Sequence, residues 1–390
     1  LQVTYLSRLA KLGIIKEPTQ YTYTPPGTAI AFTKGAFEDV YVPLKDESIR
    51  TNDSVLQGLY QGPGDATWDI ETLLYPDLVG HFLRAVIGPD TVVAGVSTTL
   101  STSSTIGATS IQSAVSIPAL SVIQITDAGG LNQEYAVTGT PTGTGPYTLP
   151  ITTPAGGLKF AHTAPTCTIV AQSQHTFAQN RTFSTVWPTY SITVNEGASI
   201  RGFPGCVASE LQLKIDPKGI VTVNVKYMGF PSAIVSDFSP SYSNVIPLLG
   251  WQWTMTNAGS SSTRGLTLDL TVKRQTESVH SSDGIQAPRE IFPGALEIDG
   301  AYKAIFENET DLGLYLNYSQ QPTVATLNQP VASGGASLAI TMSKSGYHKG
   351  LIDLHGTAYV QASFDFSGIY NATDVGITSM VLKNFTASAY

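Results

Sequence analysis

The chain reads as an all-β protein of two tandem β-barrel or sandwich domains, each with one flanking helix, and a small β domain inserted into the first. Three observations predict this. Charged residues make up 13% of the 390 positions, while 36 glycines and 23 prolines accompany abundant serine and threonine. Ordinary soluble domains carry roughly a quarter charged residues, and the departure is that of short strands joined by many turns. Apolar and polar residues alternate over many short stretches, whereas helical spacing occurs in two. Finally, a stretch near the start recurs at a fixed offset in the second half of a chain that exceeds the usual reach of one core.

In chain order, the first strand signal runs from Ala36 to Leu44. From Leu74 the apolar residues Leu78, Phe82, Leu83, Val86 and Ile87 recur at helical spacing; Pro76 and Asp77 suit a first turn, and Gly88-Pro89 ends the helix. Composition then breaks. The segment Ala94–Val170 holds only Asp127, Glu134 and Lys159 as charges, with short runs of strand and turn character at Gly107–Ile111, Val122–Ile125, Glu134–Val137 and Lys159–His162. Its alternating Val, Ile and Tyr positions predict an inserted β domain rather than a low-complexity spacer. Tyr190–Val194 reads as a strand. Leu211, Leu213 and Ile215 alternate with polar residues, Asp216-Pro-Lys-Gly219 supplies turn chemistry, and Val221, Val223, Val225 and Tyr227 alternate again, which is a hairpin with one wet face. Leu266–Val272, Gly294–Ile298, Ser337–Met342 and Thr357–Phe366 are further strands, and Thr310–Tyr318 is a second, shorter helix with Leu312, Tyr315 and Leu316 on one side.

The repeat sets the domain organisation. Glu47–Val55 aligns with Glu277–Ile285 at an offset of 230, and at that offset Pro63-Gly64 falls on Pro293-Gly294 and Asp69 on Asp299. The predicted domains are residues 1–93 with 171–235, the insertion 94–170, and residues 236–390. Acidity gathers in both copies: ten acids face three basic residues between Gly35 and Asp90, and nine face four between Gly265 and Leu312.

Chemistry is sparse. A net charge of −8 without a Lys/Arg-rich run repels nucleic acid rather than gathering it. Cys167 and Cys206 match no metal spacing, which leaves two free buried thiols as the reading. The phosphate-cradling, dinucleotide, metalloprotease and nucleophile-elbow patterns do not occur. His162, His175 and Cys167 have no spacing that would bring them together, and adjacent carboxylates such as Glu38-Asp39 and Asp46-Glu47 point to opposite strand faces. An enzyme is not expected, and neither a cofactor nor a metal. Leu1–Gln20 has no continuous apolar run of signal-peptide or spanning length, so the reading is of a soluble protein made in a cytoplasm, without a membrane. Trp251 and Trp253, two apart, would share one strand face, either over a core or as a sugar platform. Two stretches, Ile49–Pro63 and Val279–Pro293, are too long for ordinary hairpin turns.

The Gly64–Ile70 strand running into Leu73–Gly88, the Tyr190–Phe230 strand and hairpin, and Pro293–Tyr318 together make the chain resemble the larger class of siphophage tail tube proteins; Ala94–Val170 is similar to small β modules of phage structural proteins. The resemblance implies tail-tube-type β domains, no catalytic residues, and self-assembly as stacked rings into a virion tail built in the host cytoplasm. Tape measure and tail-end proteins are the implied partners, and DNA passes through the lumen without specific binding. Since tubes with one unit per chain close as sixfold rings, two units per chain imply trimeric rings. The two long loops are assigned to ring stacking through Arg50, Asn52, Asp53, Leu59, Tyr60, His280, Asp283 and Arg289. Glu38, Asp46, Asp65, Asp69, Asp269, Glu297 and Asp299 are candidates for an acidic lumen. The alternatives are a head decoration protein, a distal tail adaptor or a carbohydrate-binding surface adhesin.

Overall fold

The computed structural model describes residues 5–51, 53–179, 182, 184–354 and 359–390. Its strands are β1 (Lys11–Lys16), β2 (Thr28–Ala29), β3 (Phe32–Asp46), β4 (Gly58–Leu73), β5 (Asp90–Val93), β6 (Ser97–Thr102), β7 (Ser110–Ser113), β8 (Val122–Asp127), β9 (Leu131–Thr138), β10 (Tyr147–Thr152), β11 (Thr168–Ala171) and β12 (Ser173–Ala178). They continue as β13 (Tyr190–Asn195), β14 (Ile200–Ile215), β15 (Thr222–Gly229), β16 (Ala233–Ile234), β17 (Trp253–Asn257), β18 (Ser260–Ser262), β19 (Gly265–Val279), β20 (Glu290–Ile305), β21 (Gln320–Asn328), β22 (Ser337–Asp353), β23 (Gln361–Gly368) and β24 (Ser379–Asn384). The helices are α1 (Val79–Ile87) and α2 (Thr310–Leu316). The protein is all-β, as its composition predicts.

Local chemistry explains the clearest elements. The Asp216 carboxylate accepts from Lys218 N, and its carbonyl accepts from Gly219 N, closing the turn between β14 and β15. Helix α1 buries Val79, Phe82, Leu83, Val86 and Ile87 in the main core, each large side chain contributing about 1.5–3 kcal/mol. Gly80 is set so close to the C-terminal Tyr390 ring that a Cβ there would lie 2.1 Å from it. Several strands outrun their sequence signals. Strand β22 extends past Met342 because a bulge between Tyr347 and Lys349 breaks the alternation that marks its first half. The predicted strand from Thr357 begins, among the described residues, at Gln361.

Eight antiparallel strands lie side by side in the order β3-β4-β15-β14-β19-β20-β23-β22. The long strands β14 and β22 then leave this sheet through bulges. Beyond them β14 pairs with β13 and β16, and β22 with β21 and β24. The main core lies between these layers and under α1. Residues 97–171 form a closed six-stranded barrel, β10-β7-β6-β11-β8-β9, around its own core of Leu100, Ile111, Ile123, Ile125, Leu149 and Ile169. Residues 159–162 are turn rather than strand, apart from a bridge between His162 and Ser104.

The two halves repeat one another pairing by pairing. In hairpin β3–β4 one register block holds from Lys34↔Glu71 to Tyr41↔Gly64, with bulges at either end. In hairpin β19–β20 the same block runs from Thr267↔Lys303 to Arg274↔Leu296, between the same two bulges. The β14–β15 bulge after Ala208 recurs in β22–β23 after Tyr347, and the β13–β14 irregularity after Tyr190 recurs in β21–β22 after Gln321. A bulge is a defined feature rather than noise, so four matched irregularities fix the correspondence of residues. Lys34 takes the place of Thr267, an offset of 233, and Glu71 that of Lys303, an offset of 232. The offset of 230 read from the sequence is therefore out of register. It matched similar loop residues across loops of unequal length, residues 47–57 and 280–289.

Candidate functional site

Alternation divides the eight-stranded sheet into a buried face and a polar one. Glu38, Asp65, Asp69, Asp269, Glu297 and Asp299 all stand on the polar face, next to residues that point into the core. Asp46 does not join them. It ends β3, where it accepts from Ser48 N and from the Arg50 guanidinium, and the Ser48 bonds hold its carboxyl below the usual range.

The polar face is not simply acidic. Reading across neighbouring strands, Asp69 stands opposite Lys226, Lys226 opposite Glu210, Glu210 opposite Lys273, and Lys273 opposite Glu297. A second row runs from Lys214 to Asp269, Ala301, Asp365 and Lys349. Opposite charges across strands stabilise pairing by about 0.2–1 kcal/mol each, and three lysines of this face contact carboxylates: Lys34–Asp69 at 3.0 Å, Lys226–Glu210 at 3.0 Å and Lys349–Asp365 at 3.1 Å. The Asp69 carboxyl is pulled below its ordinary range, first by the Asn224 amide at 2.6 Å and then by Lys34. Lys214, Lys226 and Lys349 escape a count of net charge over the two acidic segments, because they lie on strands outside those segments.

Beyond the sheet both long hairpins project as two-stranded arms. Leu59 and Tyr60, read as loop residues, belong to β4 and are 62% and 61% exposed. Their surroundings, Gly58-Leu-Tyr-Gln-Gly-Pro-Gly64, look like turn chemistry, yet pairing with Leu44 and Lys45 holds them extended. The loops proper are residues 47–57 and 280–289. Arg50 and Asp53 are exposed in the first, whereas Asn52 lies outside the described residues. In the second, His280 and Arg289 are exposed at its ends, and Asp283 accepts from Ser281 and from Ile285 N, which lowers its carboxyl pKa. Val42, Leu44, Ile49, Val55, Leu56, Ile285 and Phe292 add exposed apolar surface to the arms, the kind of surface that marks an interaction site.

Within the chain the two arms already touch. Ser278 Oγ donates to Asp65 Oδ2 at 2.9 Å, Gly64 N to Gln286 O at 3.0 Å, and the Gln286 amide to Gln61 O at 3.1 Å. So Gln286, which no sequence signal singles out, joins the second arm sideways to the first. Arg274 is another such residue: it lies over the Trp187 ring and donates to the carbonyls of Val86, Ile87 and Gly294, tying the end of α1 to the second hairpin.

Other candidates find structural roles. His162 and Cys167 do converge, with Asp127, so that their ligand atoms lie within 4.8 Å of one another, while His175 sits elsewhere against Asp90. His162 is held at Nδ1 by Asp127 (3.2 Å) and at Nε2 by Glu134 (2.8 Å), and burial pushes the Cys167 thiol up to about 11. Glu134 also accepts from the Lys159 and Phe160 amides. The group thus pins a turn to the small barrel. Trp251 and Trp253 do not share a strand face: Trp251 lies in a 3-10 turn, Gly250–Gln252, and Trp253 packs edge-on against Tyr302. The sugar platform has no geometric basis. No helix among the described residues is long and apolar enough to cross a membrane.

Compared with known proteins, the chain matches a family model described as phage tail tube protein over residues 7–368. No curated protein matches it.

Proposed function

The chain belongs to the phage tail tube protein family, a structural component of the virion tail, and from that premise we propose that three copies close a ring whose inner wall is the polar face of the eight-stranded sheet. Rings then stack through the arms and loops into the channel that DNA traverses. The observation that carries this reading is the repeat of pairings: each chain supplies two four-stranded units joined edge to edge by β14 and β19. Three chains would supply six. A head-to-tail contact closes when its rotation divides a full turn, and covalent linkage of two units raises their effective concentration for one another.

The charge ladder suits passage of DNA. Free lysines on a channel wall would bind phosphate and retard the polymer. Here carboxylates flank the lysines, so the wall presents alternating charge with no basic stripe. The exposed arms would meet the next ring, and the small barrel, attached where β5 and β12 pair, would decorate the outside. Tape measure and tail-end proteins are the further partners this reading assigns.

Electron microscopy of the purified protein at high concentration tests it. Tubes or stacked rings are expected; a monomer across all conditions, with no tubes, would overturn it.

A further inference from the structure

The ring reading leaves open which edges meet, and the structure carries a template for the answer. Among the described residues, two edges of the eight-stranded sheet have no strand partner in the chain. Strand β3 has β4 as its one strand partner among the described residues. The last third of β22, from Lys349 to Ile352, has β23 as its one strand partner among the described residues. Such edges are templates for another strand, and both carry exposed apolar side chains: Val40 is 38% exposed and Leu351 55%.

The matched bulges place β3 on β19 and β22 on β14. The junction inside the chain, β14 against β19, sets Glu210 opposite Lys273, Gln212 opposite Thr271 and Lys214 opposite Asp269. Resting on the ring reading, we propose that β22 of one copy pairs antiparallel with β3 of the next in this same register: Lys349 opposite Val40 and Leu351 opposite Glu38. Every junction of the ring is then of one kind, whether it lies within a chain or between chains. On the core side Ile352 falls opposite Phe37, an apolar pair.

The arms agree independently. Inside the chain Ser278 bonds to Asp65. The residue equivalent to Ser278 is Lys45, and the one equivalent to Asp65 is Glu297. Translated to the next copy, the neutral hydrogen bond becomes an ion pair between Lys45 and Glu297, both of them exposed in the single chain. The charges meet with the correct signs although the template pair had only one charge.

The test uses wild-type assemblies formed from a mixture of unlabelled and nitrogen-15-labelled chains, treated with a zero-length carbodiimide and digested for mass spectrometry. The register predicts a Lys45–Glu297 cross-link carrying mixed isotopes, hence formed between chains. A second arm oxidises assemblies of the Glu38→Cys/Leu351→Cys variant, which should give a covalent ladder ending at three chains; Ala36→Cys/Leu351→Cys, one step out of register, should yield less than a tenth as much, since disulfides need Cβ atoms about 4 Å apart. Rings whose mixed-isotope cross-links join other edges, or equal yields from the two cysteine pairs, would overturn the register while leaving the ring reading intact. A wild-type protein that stays monomeric would overturn both.

Discussion

Lys214 stands directly opposite Asp269 where β14 meets β19, so the strand pair that joins the two halves of the chain is closed by opposite charges on its polar side. Leu213 and Leu270 meet one step along on the buried side. Both faces of this junction are satisfied. The edges of β3 and of β22 at Lys349–Ile352 present the same backbone with no second strand among the described residues, so a substitution there should act on assembly and leave the single chain's fold alone.

In the proposed register, Val40→Lys would set an ammonium group against Lys349 of the neighbouring copy. Like charges directly opposite weaken a strand pair by up to about 1 kcal/mol, roughly fivefold per junction and compounded around a ring. Sedimentation should show assembly shifted to higher concentration with the monomer's melting temperature unchanged. Val40→Glu, which would set a carboxylate opposite Lys349 instead, should leave assembly intact.

Replacing residues 97–171 with a short Gly/Ser linker should leave ring formation intact. Val93 and Gln174 are partners in one strand pair, so the cut ends are already adjacent, and the barrel has a core of its own. Tyr135 stacks on Phe385 where the barrel meets the body of the chain, and the Gln172 bond to Gly334 O lies outside the segment removed. A soluble, folded deletion variant that builds no rings would place the barrel in the wall.

Arg274→Met should destabilise the fold by about 2–4 kcal/mol in denaturant titration. The guanidinium is buried and serves carbonyls at the end of α1 and on β20. Its loss leaves those acceptors unpaired inside the protein, and the methionine restores only the packing against Trp187. A loss below about 0.5 kcal/mol would show that these carbonyls find other donors.

His81 titrates unfavourably. Burial pushes it down to about 4, with Arg84 adding to the effect, and it packs against the Tyr390 and Tyr190 rings. A histidine whose pKa is depressed on folding takes up its proton more readily when unfolded, at about 6.5. Its contribution is therefore whole above pH 6.5 and is lost as pH falls from there toward 4, by up to about 1.4 kcal/mol per pH unit. Urea midpoints for His81→Phe should show a correspondingly flatter pH dependence over that window. An unchanged slope would assign the acid sensitivity to other groups.

Much of this fold is legible in the sequence where local chemistry decides it. The turn at residues 216–219 between two alternating runs can hardly be anything but a hairpin, and Phe82, Leu83 and Val86 mark their helix by spacing alone. The charge-poor composition of residues 94–170 announces a separate module before any strand is assigned. What the sequence hides is relational. Leu59 and Tyr60 look like loop residues because an exposed arm has no buried side and so no alternation. The repeat's register is obscured by bulges and by one extra loop residue, which only pairing can reveal. The edge character of β3 and β22 depends on which distant strands fail to cover them, and the lysines that arrive from β14, β15 and β22 to temper the acidic face lie outside the two acidic segments.

A ring of three chains, each contributing two equivalent units, should be visible directly in rotational averages of tube cross-sections from cryo-electron micrographs. True threefold symmetry is expected, with an approximate sixfold inner wall and three small barrels outside. Six whole chains per ring, with six outer barrels, would contradict it.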